Sequence, residues 1–146
     1  AWKTYEEMLS RQHFFIPRAQ EMLEYLKDRF DLYIVSNGTA SVQDRRIEGA
    51  DLEKYFKKIF ISQRVGVNKP DVRFFERCFN EIDNFKKQET IIIGDSLSSD
   101  IQGGINAGIT TCWYNPKGTQ APDDMKIDYI IGDLGNLYGA DNILEG

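Results

Sequence analysis

Hydrophobic positions along the chain alternate between short continuous runs and runs with helical spacing. The short runs predict five strands, at residues 32–35, 58–61, 90–93, 110–114 and 129–131. The helical runs predict a helix that begins at Ile16-Pro17, a second that is capped by Thr39 or Ser41, and a third that begins at Pro70. A fourth helix is predicted over residues 99–107, ended by Gly108, and a last helical turn over residues 134–137. Strands that alternate with helices are typical of βαβ units. The pattern therefore predicts an α/β fold, a three-layer Rossmann-like parallel sheet with helices on both faces.

Four polar residues follow strands of this predicted sheet. Ser36, Lys69, Asp95 and Asp100 each lie at or just past the carboxyl end of a strand. Because ligands of parallel sheets bind beyond the carboxyl ends of the strands, we expect these four residues to converge on one edge.

Each of these residues also has a purely structural interpretation. Ser36 could belong to a turn, Lys69 could be a solvated lysine, and Asp100 could be an acid favoured in the first turn of a helix. Asp95 is more informative, since a carboxylate after the buried run Ile-Ile-Ile-Gly is costly unless it binds a metal or a donor. Together the four side chains fit phosphoryl transfer, which needs anion donors, a lysine and carboxylates for magnesium.

Composition excludes several other classes of function. The 146 residues carry a formal net charge of −5, which gives no general attraction to a nucleic acid polymer. No apolar run approaches about 18 residues, so no helix is expected to span a membrane. His13 is the only histidine and precedes the first predicted helix, which argues against a serine–histidine–acid triad. With two cysteines, Cys78 and Cys112, and no signal segment, we expect reduced thiols in a cytoplasmic protein.

Three segments carry a family resemblance: Val35-Ser36-Asn37-Gly38, Asn68-Lys69-Pro70, and residues 94–108, which begin Gly-Asp-Ser and end Asn-Ala-Gly. In order and spacing they resemble the second, third and fourth motifs of the haloacid dehalogenase superfamily, in its phosphatase branch. The resemblance covers residues 17–138. Within the superfamily, the sequence as a whole resembles the bacterial nucleoside 5′-monophosphate phosphatases.

The resemblance implies a role for each site residue. Ser36 and the backbone N–H of Asn37 would bind the phosphoryl group, and Lys69 would balance its charge. Asp95 would bind Mg²⁺, the implied cofactor, and Asp100 would hold Lys69 or a magnesium-bound water. The implied reaction is hydrolysis of a small phosphorylated metabolite, nucleoside 5′-monophosphates favoured, through a phosphoaspartyl intermediate. Alternatives are another reaction of the superfamily, of dehalogenase or phosphoglucomutase type, or a non-catalytic phosphate-binding or regulatory module.

One feature departs from the resemblance: the sequence contains no Asp-x-Asp, the motif that supplies the family's nucleophile at the end of its first strand. We therefore interpret residues 1–15 as the end of a cap that returns to the core, and residues 16–146 as the C-terminal part of that core. The chain alone is expected to be inactive and to need an N-terminal segment of the same protein. Strands 32–35 and 91–93 are then predicted to flank an empty slot in the sheet.

Overall fold

The computed structural model describes residues 6–9, 19–38 and 53–137. They contain a six-stranded sheet in which every pair of neighbouring strands is parallel. The strands are β1 Glu6–Leu9, β2 Asp31–Ser36, β3 Lys58–Ile61, β4 Thr90–Gly94, β5 Thr110–Tyr114 and β6 Tyr129–Ile131. Their order is β3-β2-β1-β4-β5-β6, so the chain moves outward from β1 in both directions. The direction changes beside β1, which places the ligand crevice of this topology at the carboxyl ends of the central strands.

The predicted empty slot between β2 and β4 is wrong, because β1 occupies it. Glu6 lies opposite Asp31 on one side and Thr90 on the other, and the register continues to Leu9. A strand between two buried strands gives their facing N–H and C=O groups partners, which explains why a weakly patterned segment is taken into the sheet. β1 lies before the predicted boundary between residues 1–15 and 16–146, and that boundary itself stays a prediction.

The sheet is covered on both faces, as predicted, because its central strands alternate between two hydrophobic clusters. One cluster contains Leu32, Ile34, Ile91 and Ile93 together with Met22, Leu23, Leu26, Leu134 and Leu137. The other contains Tyr33, Val35 and Ile92 together with Phe74, Phe75, Cys78, Phe79 and Ala107. Successive side chains of a strand point to opposite faces, so strands buried on both faces are apolar at nearly every position.

The helices follow the predicted order, with differences at their ends. The α-helices within the described residues are α1 Ala19–Leu26, α2 Ser62–Val65, α3 Val72–Phe79 and α4 Gln102–Ala107. The sequence pattern did not predict α2. Helix α3 begins after Pro70, since the side chain of Asp71 accepts a hydrogen bond from the backbone N–H of Arg73 and caps the helix.

The predicted segment over residues 99–107 is two pieces, a wide helical turn over Leu97–Ile101 and then α4. Gly108 ends α4 with a φ of 75°, as predicted. The last turn, Leu134–Leu137, is a 3₁₀ helix. The helix predicted after Thr39 or Ser41 lies outside the described residues. None of the described helices is long and apolar enough to cross a membrane.

Candidate active site at the carboxyl edge of the sheet

Ser36 and Asn37 stand where β2 ends. Ser36 is the last residue of the strand and is buried, and its hydroxyl donates to the carbonyl of Asn37 at 3.3 Å. The next residue, Gly38, has a φ of 151° and donates its N–H to the Ser62 hydroxyl at 2.9 Å. The loop that follows β2 is therefore tied to the residue that follows β3.

Lys69 is a buried cation and not a solvated one. Its side chain is only 4% exposed, and its ammonium group donates to the carbonyl of Val35 at 3.2 Å and to Oδ1 of Asp100 at 2.5 Å. A buried ammonium group is costly unless it is paired and hydrogen-bonded, and both conditions hold here. The ammonium group thus lies beside β2, where it contacts the residue that precedes Ser36.

Asp100 reaches Lys69 from the wide turn after β4. Its side chain is 1% exposed, and its second oxygen, Oδ2, accepts from the backbone N–H of Ser96 at 3.4 Å. Gly94 makes this approach possible, because a Cβ at that position would overlap the Asp100 carboxylate. The Gly94-Asp95-Ser96 segment therefore combines a close backbone approach with a turn that aims Asp100 at the lysine.

Asp95 follows β4 directly and is exposed at this edge of the sheet, so the burial cost expected from the sequence does not apply to its carboxylate. Its backbone carbonyl accepts a hydrogen bond from the indole N–H of Trp113, at 3.1 Å. Trp113 lies on the neighbouring strand β5 and is buried, so it fixes the peptide that carries the Asp95 carboxylate.

A carboxylate in this position is a suitable ligand for Mg²⁺, which prefers oxygen donors and is commonly bound by one or two carboxylates. Within the part of the chain that the structure describes, no group of three or more His, Cys, Asp or Glu side chains is placed to hold a metal ion. Asp95 therefore fits as one ligand of a magnesium ion. The Asp100 carboxylate forms its ion pair with Lys69 instead.

The segment that carries Lys69 is held by two asparagine side chains. The amide of Asn37 accepts from the backbone N–H of Lys69 at 2.8 Å and donates to the carbonyl of Lys69 at 3.1 Å. The amide of Asn106, on α4, donates to the carbonyl of Pro70 at 3.1 Å. The peptide bond between Lys69 and Pro70 is cis.

The structure thus joins Lys69 to Asp100 and to the 35–37 segment, as the expected convergence requires. Ser36 and Asp95 lie at the ends of β2 and β4, which are separated by β1 alone. The roles given to these residues stay predictions. Sequence reasoning missed the contacts of Asn37, Asn106 and Trp113, because each joins residues far apart in the chain and no local pattern marks it.

Comparison with known proteins finds a matching family model and similar proteins with related descriptions. The family described as haloacid dehalogenase-like hydrolase matches residues 1–114. The chain is 39% identical to the HAD-hydrolase YfnB of Bacillus subtilis over 139 residues, which is 95% of this chain and 59% of that protein. It is 42% identical over 146 residues to the pyrimidine 5′-nucleotidase PynA of Streptococcus pneumoniae, covering 97% of this chain and 61% of that protein.

The solved structures agree with this result. The crystal structure of YfnB from Bacillus subtilis bound to magnesium superposes with a TM-score of 0.84 and 40% identity. The match covers 88% of this chain and 56% of that one. The chain thus spans about three fifths of the length of the relatives that it matches.

Proposed function

This chain belongs to the haloacid dehalogenase-like hydrolase family, and on that premise we propose that its protein is a Mg²⁺-dependent phosphomonoester hydrolase. Its substrates are small phosphorylated metabolites, with nucleoside 5′-monophosphates favoured. Nucleotides are favoured because two of the relatives are named pyrimidine 5′-nucleotidases, from Streptococcus pneumoniae and, at 32% identity, from Escherichia coli. Other relatives are named for different small phosphomonoesters, such as glyceraldehyde 3-phosphate and phosphoserine.

The observation that carries the proposal is the buried ammonium group of Lys69 between β2 and Asp100. Phosphoryl transfer depends mainly on positioning and on charges fixed in advance. A lysine held by a carboxylate and a carbonyl needs no rearrangement when negative charge develops beside it. Ser36 supplies the hydroxyl, and the N–H of Asn37 supplies a backbone donor, for the oxygens of the same phosphoryl group.

The proposed reaction has two steps, both taken from the family resemblance. An aspartate carboxylate forms a bond to phosphorus while the bond to the ester oxygen breaks, and the leaving alcohol receives a proton from a general acid. Water then hydrolyses the acyl phosphate and releases inorganic phosphate. The sequence has no Asp-x-Asp, so the proposal assigns the nucleophile and the general acid to the rest of the protein.

Magnesium, when bound, would offset the negative charge of the phosphoryl oxygens. The residue of this chain that would hold it is Asp95, whose backbone Trp113 fixes. Asp100 would act on the reaction through Lys69.

The test is a hydrolysis assay with the full-length natural protein. Phosphate release from p-nitrophenyl phosphate and from pyrimidine and purine nucleoside monophosphates is measured with Mg²⁺ and with EDTA. We expect Mg²⁺-dependent release, with pyrimidine nucleotides among the substrates, and a loss of at least about a hundredfold in kcat/KM for Lys69→Met, as for one preorganised electrostatic group. Halide release from a 2-haloacid without phosphate release would favour the dehalogenase alternative. Phosphate binding without turnover would favour the regulatory module.

A further inference from the structure

Asn37 makes a contact that phosphate binding through its backbone N–H does not require. We propose that the side chain of Asn37 is a positioning group that sets Lys69 in register with Ser36. This inference rests on the proposed function, because it assigns Ser36 and Lys69 to one phosphoryl group.

The contact is a double one that few side chains could make. Oδ1 of Asn37 accepts from the N–H of Lys69, and Nδ2 donates to the carbonyl of the same residue, at 2.8 and 3.1 Å. The amide thereby pairs with both polar groups of one residue's backbone, as a neighbouring strand would. Aspartate has no donor for the carbonyl when ionised, and alanine has neither group.

Lys69 also contacts the residues on both sides of Ser36. Asn37, after Ser36, holds the backbone of Lys69. Val35, before Ser36, accepts a hydrogen bond from the ammonium group at 3.2 Å. The two residues that flank Ser36 in the chain therefore hold the two ends of the lysine, Asn37 its backbone and Val35 its ammonium group.

This arrangement has a consequence for binding. A free lysine side chain loses about 2 kcal/mol of rotamer entropy when it is held in one position. Attachment at both ends lets the fold meet that cost before a ligand arrives, which improves affinity for an oxyanion. Asn106 holds the next carbonyl, that of Pro70, through one exposed hydrogen bond, and so acts as a weaker support of the same segment.

The experiment compares three alanine variants of the full-length protein: Asn37→Ala, Asn106→Ala and, as a matched control, Asn80→Ala. Asn80 is exposed at the end of α3, outside the site. Three quantities are measured: the dissociation constant of inorganic phosphate by calorimetry, the hydrogen exchange rate of the Lys69 amide, and kcat/KM. The melting temperature of each variant monitors folding.

We expect Asn37→Ala to accelerate exchange of the Lys69 amide and to weaken phosphate binding about tenfold, because most of the entropy cost of ordering the lysine would then fall on the binding step. Asn106→Ala should weaken phosphate binding less, and Asn80→Ala should leave both quantities unchanged. Unchanged Lys69 exchange and phosphate affinity in Asn37→Ala would overturn the inference. A general rise in exchange with unchanged phosphate affinity would also overturn it, because it would indicate only a structural role.

The two proposals fail in different ways. If the wild-type protein binds phosphate but hydrolyses no phosphomonoester, the proposed function is wrong while exchange and affinity still test Asn37. If it hydrolyses phosphomonoesters and Asn37→Ala behaves as wild type, only the inference is wrong. If the wild type binds no phosphate, both are wrong.

Discussion

The buried ion pair of Lys69 and Asp100 gives the sharpest prediction for stability. Their side chains are 4% and 1% exposed, so neither charge can be solvated if its partner is removed. Lys69→Met keeps most of the length of the side chain and leaves the Asp100 carboxylate buried without a cation. Removing one member of a buried pair costs about 3–5 kcal/mol, so this variant should lose that much free energy of unfolding.

The double variant Lys69→Met/Asp100→Asn should lose much less than the two single variants combined. With both charges gone, no uncompensated charge remains in the interior, and replacing a buried pair by uncharged groups is often close to neutral. We expect a coupling free energy of at least about 2 kcal/mol from the double-mutant cycle. At about 3 °C for each kcal/mol in a domain of this size, the single variants should melt roughly 10 °C lower.

The assay is urea unfolding at pH 7.5 followed by circular dichroism, with the full-length protein. A matched control is the exposed pair of Lys58 and Glu81, which has a similar separation of 2.9 Å but side chains 47% and 54% exposed. Its cycle, Lys58→Met with Glu81→Gln, should give a coupling of about 0.5 kcal/mol. A Lys69–Asp100 coupling no larger than this control would refute the reasoning from burial.

Three further predictions concern neighbouring features. Asp95→Asn should weaken Mg²⁺ binding at least about tenfold by calorimetry and lower turnover by orders of magnitude, and an unchanged magnesium dependence would contradict its assignment. Gly94→Ala should displace Asp100 and weaken phosphate binding, whereas Gly132→Ala, with room for a Cβ, should not. Burial raises the pKa of the Cys78 thiol from 9.0 to about 12, so iodoacetamide should not modify it in the folded protein at pH 8. As the pH rises from 9 to 12, the thiol ionises in the unfolded protein before it ionises in the folded one, so its contribution to stability is intact below pH 9 and is lost towards pH 12. Over that range the urea midpoint of Cys78→Ala should therefore fall less than that of the wild type.

The sequence by itself determined most of the sheet and the order of the site segments. An apolar run such as Thr90-Ile91-Ile92-Ile93 favours a strand buried on both faces, and the structure confirms a strand at each of the five predicted places. The sequence also located Gly108 as the end of α4, because a helix often ends at a position with positive φ and such a position favours glycine.

The tertiary structure alone decided where Glu6–Leu9 lies and which atoms meet at the site. Glu-Glu-Met-Leu has no strand pattern of its own, and its place in the sheet comes from the unpaired edges of β2 and β4 on either side. The burial of Lys69 depends on Asp100, 31 residues further along the chain, and its register depends on Asn37, 32 residues earlier. Local periodicity reports only which face of an element is buried. The partner of a buried polar group is chosen when separate elements pack, because each donor and acceptor removed from water must then find one.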